Sequence, residues 1–521
     1  MRNILSRPAA CERWGVYELA FQGRTDGNPF ADYGIHARFS HPRETIEVSG
    51  FYDGDGVYRL RFMPSYEGEY TYEVSGSFSE ESFVGIQGSF AATAPSAGNH
   101  GPVRVANQFH LAYADGTPHY SFGTTCYGFV LQKEQTVERT FRELEKGYFN
   151  KLRFCVMPKH YDFSLHDPVA FPYEGTPMDA SVLTRANFSD YNGAAPGNHW
   201  DFHRFNPAFF RLYDQVIRRL MDMGLEADMI LFHAYDRWGF SKMSMEENAF
   251  YLRYMAARYG AFRNVWWSLA NEYELMEHLR TEDWERLAAV LRENDPYHHL
   301  ASIHNCEVFY DYTKPWITHC SCQREDHHKT TEYTDELRER FGKPVVWDEV
   351  GYEGDFPHCW GNFTPEELVR RGWEAILRGG YCGHGETFLS GDGVIWWAHG
   401  GKLKGKSAER FRFMRRFLEA VPGCGLRLAK LRDDVHFQWD DYVAVPEDPA
   451  YYGDFYFFYY SIWRPSFRQI WIDEDTWFDV DVVDTWNMTV TPAGRWRGRF
   501  EVPLPGRQYI GIRLRRAAEA R

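Results

Sequence analysis

The chain has 521 residues, with 44% hydrophobic and 25% charged side chains, which excludes wholesale disorder and leaves room for three or four domains. A formal charge of −15 argues against a nucleic acid or an anionic membrane as the main partner, and no apolar run is long enough for a transmembrane helix. The opening residues, Met1 to Pro8, carry no apolar core of a secretory leader, and nine Cys are scattered without a C-x-x-C pair. The thiols are therefore read as reduced and the compartment as cytoplasmic.

Residues 12 to about 93 read as β. Tyr58, Leu60 and Phe62 alternate with Arg59 and Arg61, and Tyr70, Tyr72 and Val74 alternate with Thr71 and Glu73. A period of two buries one face of a strand, and turn residues such as Asp53-Gly54-Asp55-Gly56 punctuate the runs. The spacing predicts a β-sandwich over 1–95. The stretch from Ala92 to Pro102 is small, polar and turn-rich, as a linker is.

From 96 to 422, short apolar runs alternate with helical stretches. The runs are 121–129, 150–157, 227–234, 264–269, 300–304, 317–321, 343–347 and 380–384. Between them, Asn206-Pro207 reads as an N-cap and first helical residue, Thr281 to Asn294 has helical spacing, and Thr364-Pro365-Glu366-Glu367 reads as a capping box. The pattern alone supports six or seven strands; the resemblance given below brings the count to eight. The expected fold class is α/β, a (β/α)8 TIM barrel flanked by two β-sandwiches. The second sandwich, 423–521, is read from Phe478, Val480, Val482 and from Ile510, Ile512, Leu514, again alternating with polar residues.

In such a barrel, functional groups stand at the C-terminal ends of strands. Glu272 closes Val265-Trp266-Trp267-Ser268-Leu269-Ala270-Asn271-Glu272, and Glu349 closes Pro344-Val345-Val346-Trp347-Asp348-Glu349. Two carboxylates across a sugar ring are what glycosidic cleavage needs, one to donate a proton and one to attack the anomeric carbon. The plain alternative for each is a helix cap or an Arg partner. Asp348 and Glu353 are close rivals of Glu349.

Here the chain resembles a known group. Leu269-Ala270-Asn271-Glu272 is similar to the strand-4 Asn-Glu of the clan of retaining (β/α)8 glycoside hydrolases. The resemblance implies that Glu272 is the general acid/base, that Glu349 is the nucleophile, and that Arg153 is the strand-2 Arg that hydrogen-bonds the nucleophile. More narrowly, Gly123-Thr124-Thr125, Trp347-Asp348-Glu349-Val350-Gly351-Tyr352-Glu353-Gly354, Gly383-His384-Gly385-Glu386-Thr387 and Trp396-Trp397 resemble the apiosidase-like family. Relatives there carry an N-terminal immunoglobulin-like and a C-terminal β-domain, and the resemblance suggests plant-cell-wall-type glycans. One departure stands out. Many clan members end strand 6 with a Tyr that orients the nucleophile, whereas this run ends His319-Cys320-Ser321-Cys322-Gln323, which makes His319 a candidate substitute.

Other candidates follow from strand-end position. His233 and Asp236 close the third run, Glu386 follows the eighth, and Trp238, Trp396 and Trp397 are candidate sugar platforms, since an indole covers the apolar face of a sugar ring. Core packing or a salt bridge is the plain alternative for each. The connection His160 to Arg204 is too long to be filler and is read as a lid or pocket wall on the catalytic face. No metal or cofactor is expected: the first run lacks H-x-H, and the adjacent pairs His298-His299 and His327-His328 do not converge on one ligand. The expected activity is a retaining, exo-acting glycosidase with a carbohydrate substrate, the β regions bracing the barrel or joining copies into a homo-oligomer. Two alternatives use the same residues: a transglycosylase, and a non-catalytic sugar-binding barrel.

Overall fold

The computed structural model describes residues 4–78, 83–161, 168–184, 186–324, 326, 329–429 and 442–518. The His327-His328 pair, and residues 162–167 and 185 of the candidate lid, lie outside them.

The N-terminal region is two mostly antiparallel sheets of four and five strands on a shared aromatic core. Tyr17 stacks on Phe90 at 3.7 Å and Phe39 on Phe62 at 4.1 Å, so the rings of both sheets interleave. Tyr58, Leu60 and Phe62 point into this core as the alternation requires. The opposite face of that strand is not left to solvent. Arg61 is buried, donates to both oxygens of Asp214 and to the Arg258 carbonyl, and Arg258 in turn reaches Asp53 and Asp214. The polar residues of the pattern therefore mark an ionic seam against the next unit. Ala92 and Thr93 still belong to the strand Phe83–Thr93, so the irregular chain starts at Ala94.

Among the described residues, two parallel ladders of the middle region contain β1 (Gly123–Thr125), β2 (Lys151–Cys155), β3 (Glu226–His233), β4 (Val265–Asn271), β5 (Ala301–Ser302), β6 (Cys320–Gln323), β7 (Val345–Glu349) and β8 (Tyr381–Cys382), and a short parallel pair, Glu353–Gly354 with Glu386–Thr387, stands beside them. β1 to β5 form one ladder and β6 to β8 another. Parallel bridges His304–Ser321 and Thr124–His384 join the two ladders at both edges, so the pairings return to their start. The α-helices among the described residues are α1 (Glu134–Leu144), α2 (Pro207–Asp222), α3 (Met245–Tyr259), α4 (Thr281–Asn294), α5 (Thr334–Phe341), α6 (Pro365–Leu377), α7 (Trp396–His399) and α8 (Ser407–Glu419).

The alternation expected from the sequence is incomplete. No helix lies between β5 and β6; residues 303–319 are turns and irregular chain, with Pro315 and several Asx and aromatic residues in place of a helical stripe. α2 starts as its sequence implies: Asn206 accepts from Ala208 N at 3.1 Å, with Pro207 in the first turn. The box at α6 is only half made. Thr364 accepts from Glu367 N at 3.3 Å, but the Glu367 carboxylate is taken by Arg370 and Arg371. The complete box is Ser244 with Glu247 at α3.

The C-terminal region is a six-stranded sheet plus a two-stranded pair, Phe467–Trp471 with Arg499–Pro503. Both faces of the large sheet are covered. Tyr456, Phe458, Val480 and Ile512 face the pair, while Phe457 and Tyr459 pack on Trp373 of α6 and Phe457 on Phe417 of α8.

Glu226 opens β3 at the end of the ring remote from Glu349, and its carboxyl accepts from Trp266 Nε1 at 2.9 Å. Burial pushes its pKa up to about 8. In the unfolded chain the group loses its proton near its ordinary value of about 4.3. Between those values the native state holds a proton the unfolded chain has lost, so native stability falls as pH rises toward about 8. Glu226→Gln keeps the acceptor oxygen. Thermal scans should show it melting a few degrees above wild type at pH 8 and level with it at pH 4; an equal response at both pH values would contradict this assignment.

Candidate functional site

Under the pocket, the interior of the ring holds charge rather than only aliphatic layers. Lys151 Nζ donates to Asp228 at 2.9 Å and to Asp348 at 2.6 Å, and Ser321 Oγ donates to Asp348 at 2.5 Å. Arg153 Nη1 adds contacts to Asp228 at 3.5 Å and to Ser268 at 3.1 Å. All four charged side chains are almost fully buried. Burial alone would lift the Asp348 carboxyl, but Lys151 and Arg153 hold it well below the usual carboxylate range.

Above this layer, Glu272 and Glu349 line one small, open pocket with Tyr127, Lys159, Tyr161, Tyr235, Gly351, Tyr352, Trp360 and Trp397. Two local irregularities aim the carboxylates there. Along β6 and β7, Cys322 pairs with Trp347 but Gln323 pairs with Glu349, so Asp348 is an extra, bulged residue. The bulge lets Asp348 face the buried Lys151 while its neighbour Glu349 reaches the pocket. Glu272 follows β4 with φ +49, a left-handed conformation costly for a residue with a Cβ, at about 1–3 kcal/mol.

Each carboxylate is held by a phenol. Tyr127 Oη donates to Glu349 Oε1 and Tyr235 Oη donates to Glu272 Oε2. Burial, then the neighbouring carboxylate, raises both phenols far above their ordinary value, so they remain protonated donors. Glu272 also accepts from Asn271 Nδ2 at 3.0 Å and Gln323 Nε2 at 3.1 Å. Asn271 is fixed in turn by Arg153 Nη2 at 2.9 Å. His304 Nε2 lies 3.6 Å from Glu349 Oε1, and burial, with Arg153 nearby, lowers its pKa, favouring the neutral ring.

The structure brings together Glu272, Glu349, Asn271 and Arg153, with one revision. The hydrogen bonds of Arg153 go to Asp228, Ser268 and Asn271 rather than to Glu349. The donor to Glu349 is Tyr127, just past β1, so the role assigned to His319 is filled from a different strand. His319 precedes β6 and packs edge-on against Trp266 at the remote end. Burial pushes it down to about 4, which keeps it neutral.

Five other candidates, His233, Asp236, Trp238, Trp396 and Glu386, stand away from the pocket lining. His233 is buried, with Nε2 3.0 Å from the Met157 carbonyl. Asp236 accepts from the backbone N–H groups of Trp238, Gly239 and Ser241, shaping a turn. Trp238 is buried beside the antiparallel pair Tyr173–Thr176 and His199–Phe205, its carbonyl accepting from Trp200 Nε1 at 2.8 Å. Trp396 donates to Thr124 Oγ1 at 2.8 Å, and only its neighbour Trp397 faces the pocket.

Glu386 accepts from Lys404 N at 2.8 Å and Gly405 N at 3.0 Å. Burial, with Glu353 adding repulsion, pushes it up to about 7. Glu353 accepts from Lys406 N at 2.8 Å and Ser407 N at 3.0 Å, which removes it as a rival nucleophile. Glu353, His384 and Glu386 hold potential ligand atoms within 4.8 Å of one another. The two glutamates seat the turn entering α8, where backbone N–H groups and the helix dipole favour them.

Tyr161 belongs to the segment read as a lid or pocket wall, whereas Tyr127, Lys159, Tyr235, Gln323, Tyr352 and Trp360 carry no site reading from the sequence. Most sit one to a few residues beyond a strand end, where no periodicity marks them. Position past an apolar run was the available signal, and Tyr127, Tyr235 and Gln323 carry it.

The model of the apiosidase-like catalytic domain matches residues 105–446. Models of two domains of unknown function, DUF5060 and DUF5605, match residues 10–77 and 439–515. No curated protein matches the sequence. Among solved structures, the chain is similar to a protein of Bacteroides vulgatus ATCC 8482 described as a candidate glycoside hydrolase: identity is 35%, coverage 98% of this chain and 100% of that one, and TM-score 0.87. A glycoside hydrolase at 14% identity (81% and 98% covered, TM-score 0.59) and a family 5 glycoside hydrolase of the same Bacteroides strain at 15% (80% and 94%, TM-score 0.58) share the fold. With the family's model spanning residues 105–446 and a relative 35% identical along 98% of its length, the chain belongs to the apiosidase-like catalytic-domain family.

Proposed function

We propose that the protein is a retaining glycoside hydrolase, built as a (β/α)8 barrel with one missing helix and braced by sandwiches over 1–95 and 423–521. The observation that carries this reading is the placement of Glu272 and Glu349, each bonded to its own tyrosine, in one aromatic-walled pocket. Glu349 Oε attacks the anomeric carbon while the bond from that carbon to the leaving oxygen breaks. Glu272 gives its proton to that oxygen. Water then attacks the anomeric carbon of the ester on Glu349, its proton passes to Glu272, and the carboxylate of Glu349 departs. The Tyr235 hydroxyl suits both halves, since it can donate to Glu272 when ionised and accept from it when protonated.

The pocket supports exo action: it is small, and Tyr161, from the start of the long segment after β2, forms part of its wall. Trp397 and Trp360 offer indole faces to a sugar ring, and plant-type oligosaccharides are the proposed substrates. Hydrolysis of a panel of aryl α- and β-glycosides, followed by proton NMR of the first-formed sugar, tests the reading. The expected first product keeps the anomeric configuration of the substrate. An inverted first product would contradict a covalent intermediate on Glu349.

A further inference from the structure

One charged group in the pocket has no part in the double displacement. Lys159 lies just beyond β2, and its backbone is fixed by the His160 N–H donating to the Tyr235 carbonyl at 2.7 Å. Its ammonium is surrounded by rings, not by anions. Nζ stands 3.5 Å from the centre of the Tyr127 ring and 4.3 Å from that of Tyr235, with Trp397 at 4.8 Å and Tyr161 at 5.5 Å. Among the described residues no carboxylate forms an ion pair with it, although Glu272 and Glu349 line the same pocket.

The two nearest rings are the two that matter for the proposed reaction. Tyr127 donates to Glu349, and Tyr235 donates to Glu272. A cation on the face of a phenol draws density from the ring, which makes its O–H a stronger donor. We propose that Lys159 is a positioning residue for both carboxyls: its ammonium, seated on the faces of Tyr127 and Tyr235, strengthens the two phenol hydrogen bonds that hold Glu349 and Glu272, so that one cation couples nucleophile and acid/base through two aromatic rings. This rests on the reading of those glutamates as the reacting pair.

The surroundings fit. Burial lowers the Lys159 pKa below the ordinary lysine value, against the fields of Glu272 and Glu349, which favour the ammonium. Arg153 opposes it from beneath, and the Cys155 thiol, pushed up to about 12 by burial, stays neutral, as do the phenols of Tyr127 and Tyr235. The two carboxyls are therefore the partners whose charge Lys159 can bias.

The test compares Lys159→Met, which removes the charge, with Lys159→Arg, which keeps it. In the Met variant kcat/KM is expected to fall about tenfold, less than the roughly 10²–10⁴ of a group acting directly on the substrate. Both limbs of its pH profile should move up, since Arg153 is then the remaining cation beside the two carboxyls. The Arg variant should return both limbs toward wild type. Carbon-13 NMR of labelled Glu carboxyls, assigned with Glu272→Gln and Glu349→Gln, follows the same titrations without substrate. If wild type cleaves no glycoside, the reaction reading fails while the NMR titration still decides the role of Lys159. Unmoved carboxyl titrations, or lost activity with unmoved limbs, would overturn the proposal by reducing Lys159 to a packing role. If Lys159→Met does not fold, Lys159→Gln carries the same comparison.

Discussion

Glu349→Gln should lower kcat/KM by about 10⁴-fold or more while leaving the melting temperature close to that of wild type. The substitution keeps the volume and one acceptor oxygen for Tyr127, so the pocket loses little packing. It removes the proposed nucleophile, and no neighbour can replace it. Asp348 is held by Lys151 and Ser321 on the inner side of the bulge, and Glu353 is bound to the backbone entering α8. Glu272→Gln should behave differently. With an activated leaving group, attack by Glu349 needs little proton donation, so the first step survives better than the second. Steady-state rates with good and poor leaving groups separate the two variants; equal losses across leaving groups would contradict the acid/base role of Glu272.

Lys151→Met should destabilise the protein by about 3–5 kcal/mol, the cost of leaving buried charge uncompensated. Lys151 is the closest cation to both Asp228 and Asp348. Burial alone would depress its pKa, yet those two carboxylates hold it above the ordinary lysine value. Arg153, at 3.5 Å from Asp228 and 3.9 Å from Asp348, cannot neutralise both. A variant that also carries Asp228→Asn should recover much of the loss, because the remaining charges again match in number. Thermal unfolding and soluble yield of the single and double variants measure this. A double variant as unstable as the single would show that Lys151 acts by packing, not by charge.

The sequence made some of this legible for physical reasons. Glu272 and Glu349 end apolar runs that are buried on both sides, so a carboxylate there must face a cavity or a partner. The same rule misplaced His319, because β6 begins at Cys320 and the residue lies before the strand rather than after it. His233, Trp238 and Trp396 stand at or near strand ends, but position along a strand does not fix direction, and each turns toward the backbone or a packed neighbour. The alternation of the N-terminal strands was readable, yet not that Arg61 would serve an ionic seam with α2 and α3, because a period of two identifies the polar face without naming its neighbour. The tyrosines and Lys159 come from turns and irregular chain past strand ends, where no repeat marks them. Their convergence depends on the return of the parallel pairings from β8 to β1, a long-range feature with no local signature.

The most direct test of the central claim is mass spectrometry of the protein incubated with a panel of activated 2-deoxy-2-fluoroglycosides, which slow hydrolysis of a covalent intermediate. A mass increase of one fluorosugar, mapped to the peptide containing Glu349 and absent from Glu349→Gln, is the predicted result. Turnover of the parent glycosides with the label on Asp348, Glu353 or any other residue would contradict it.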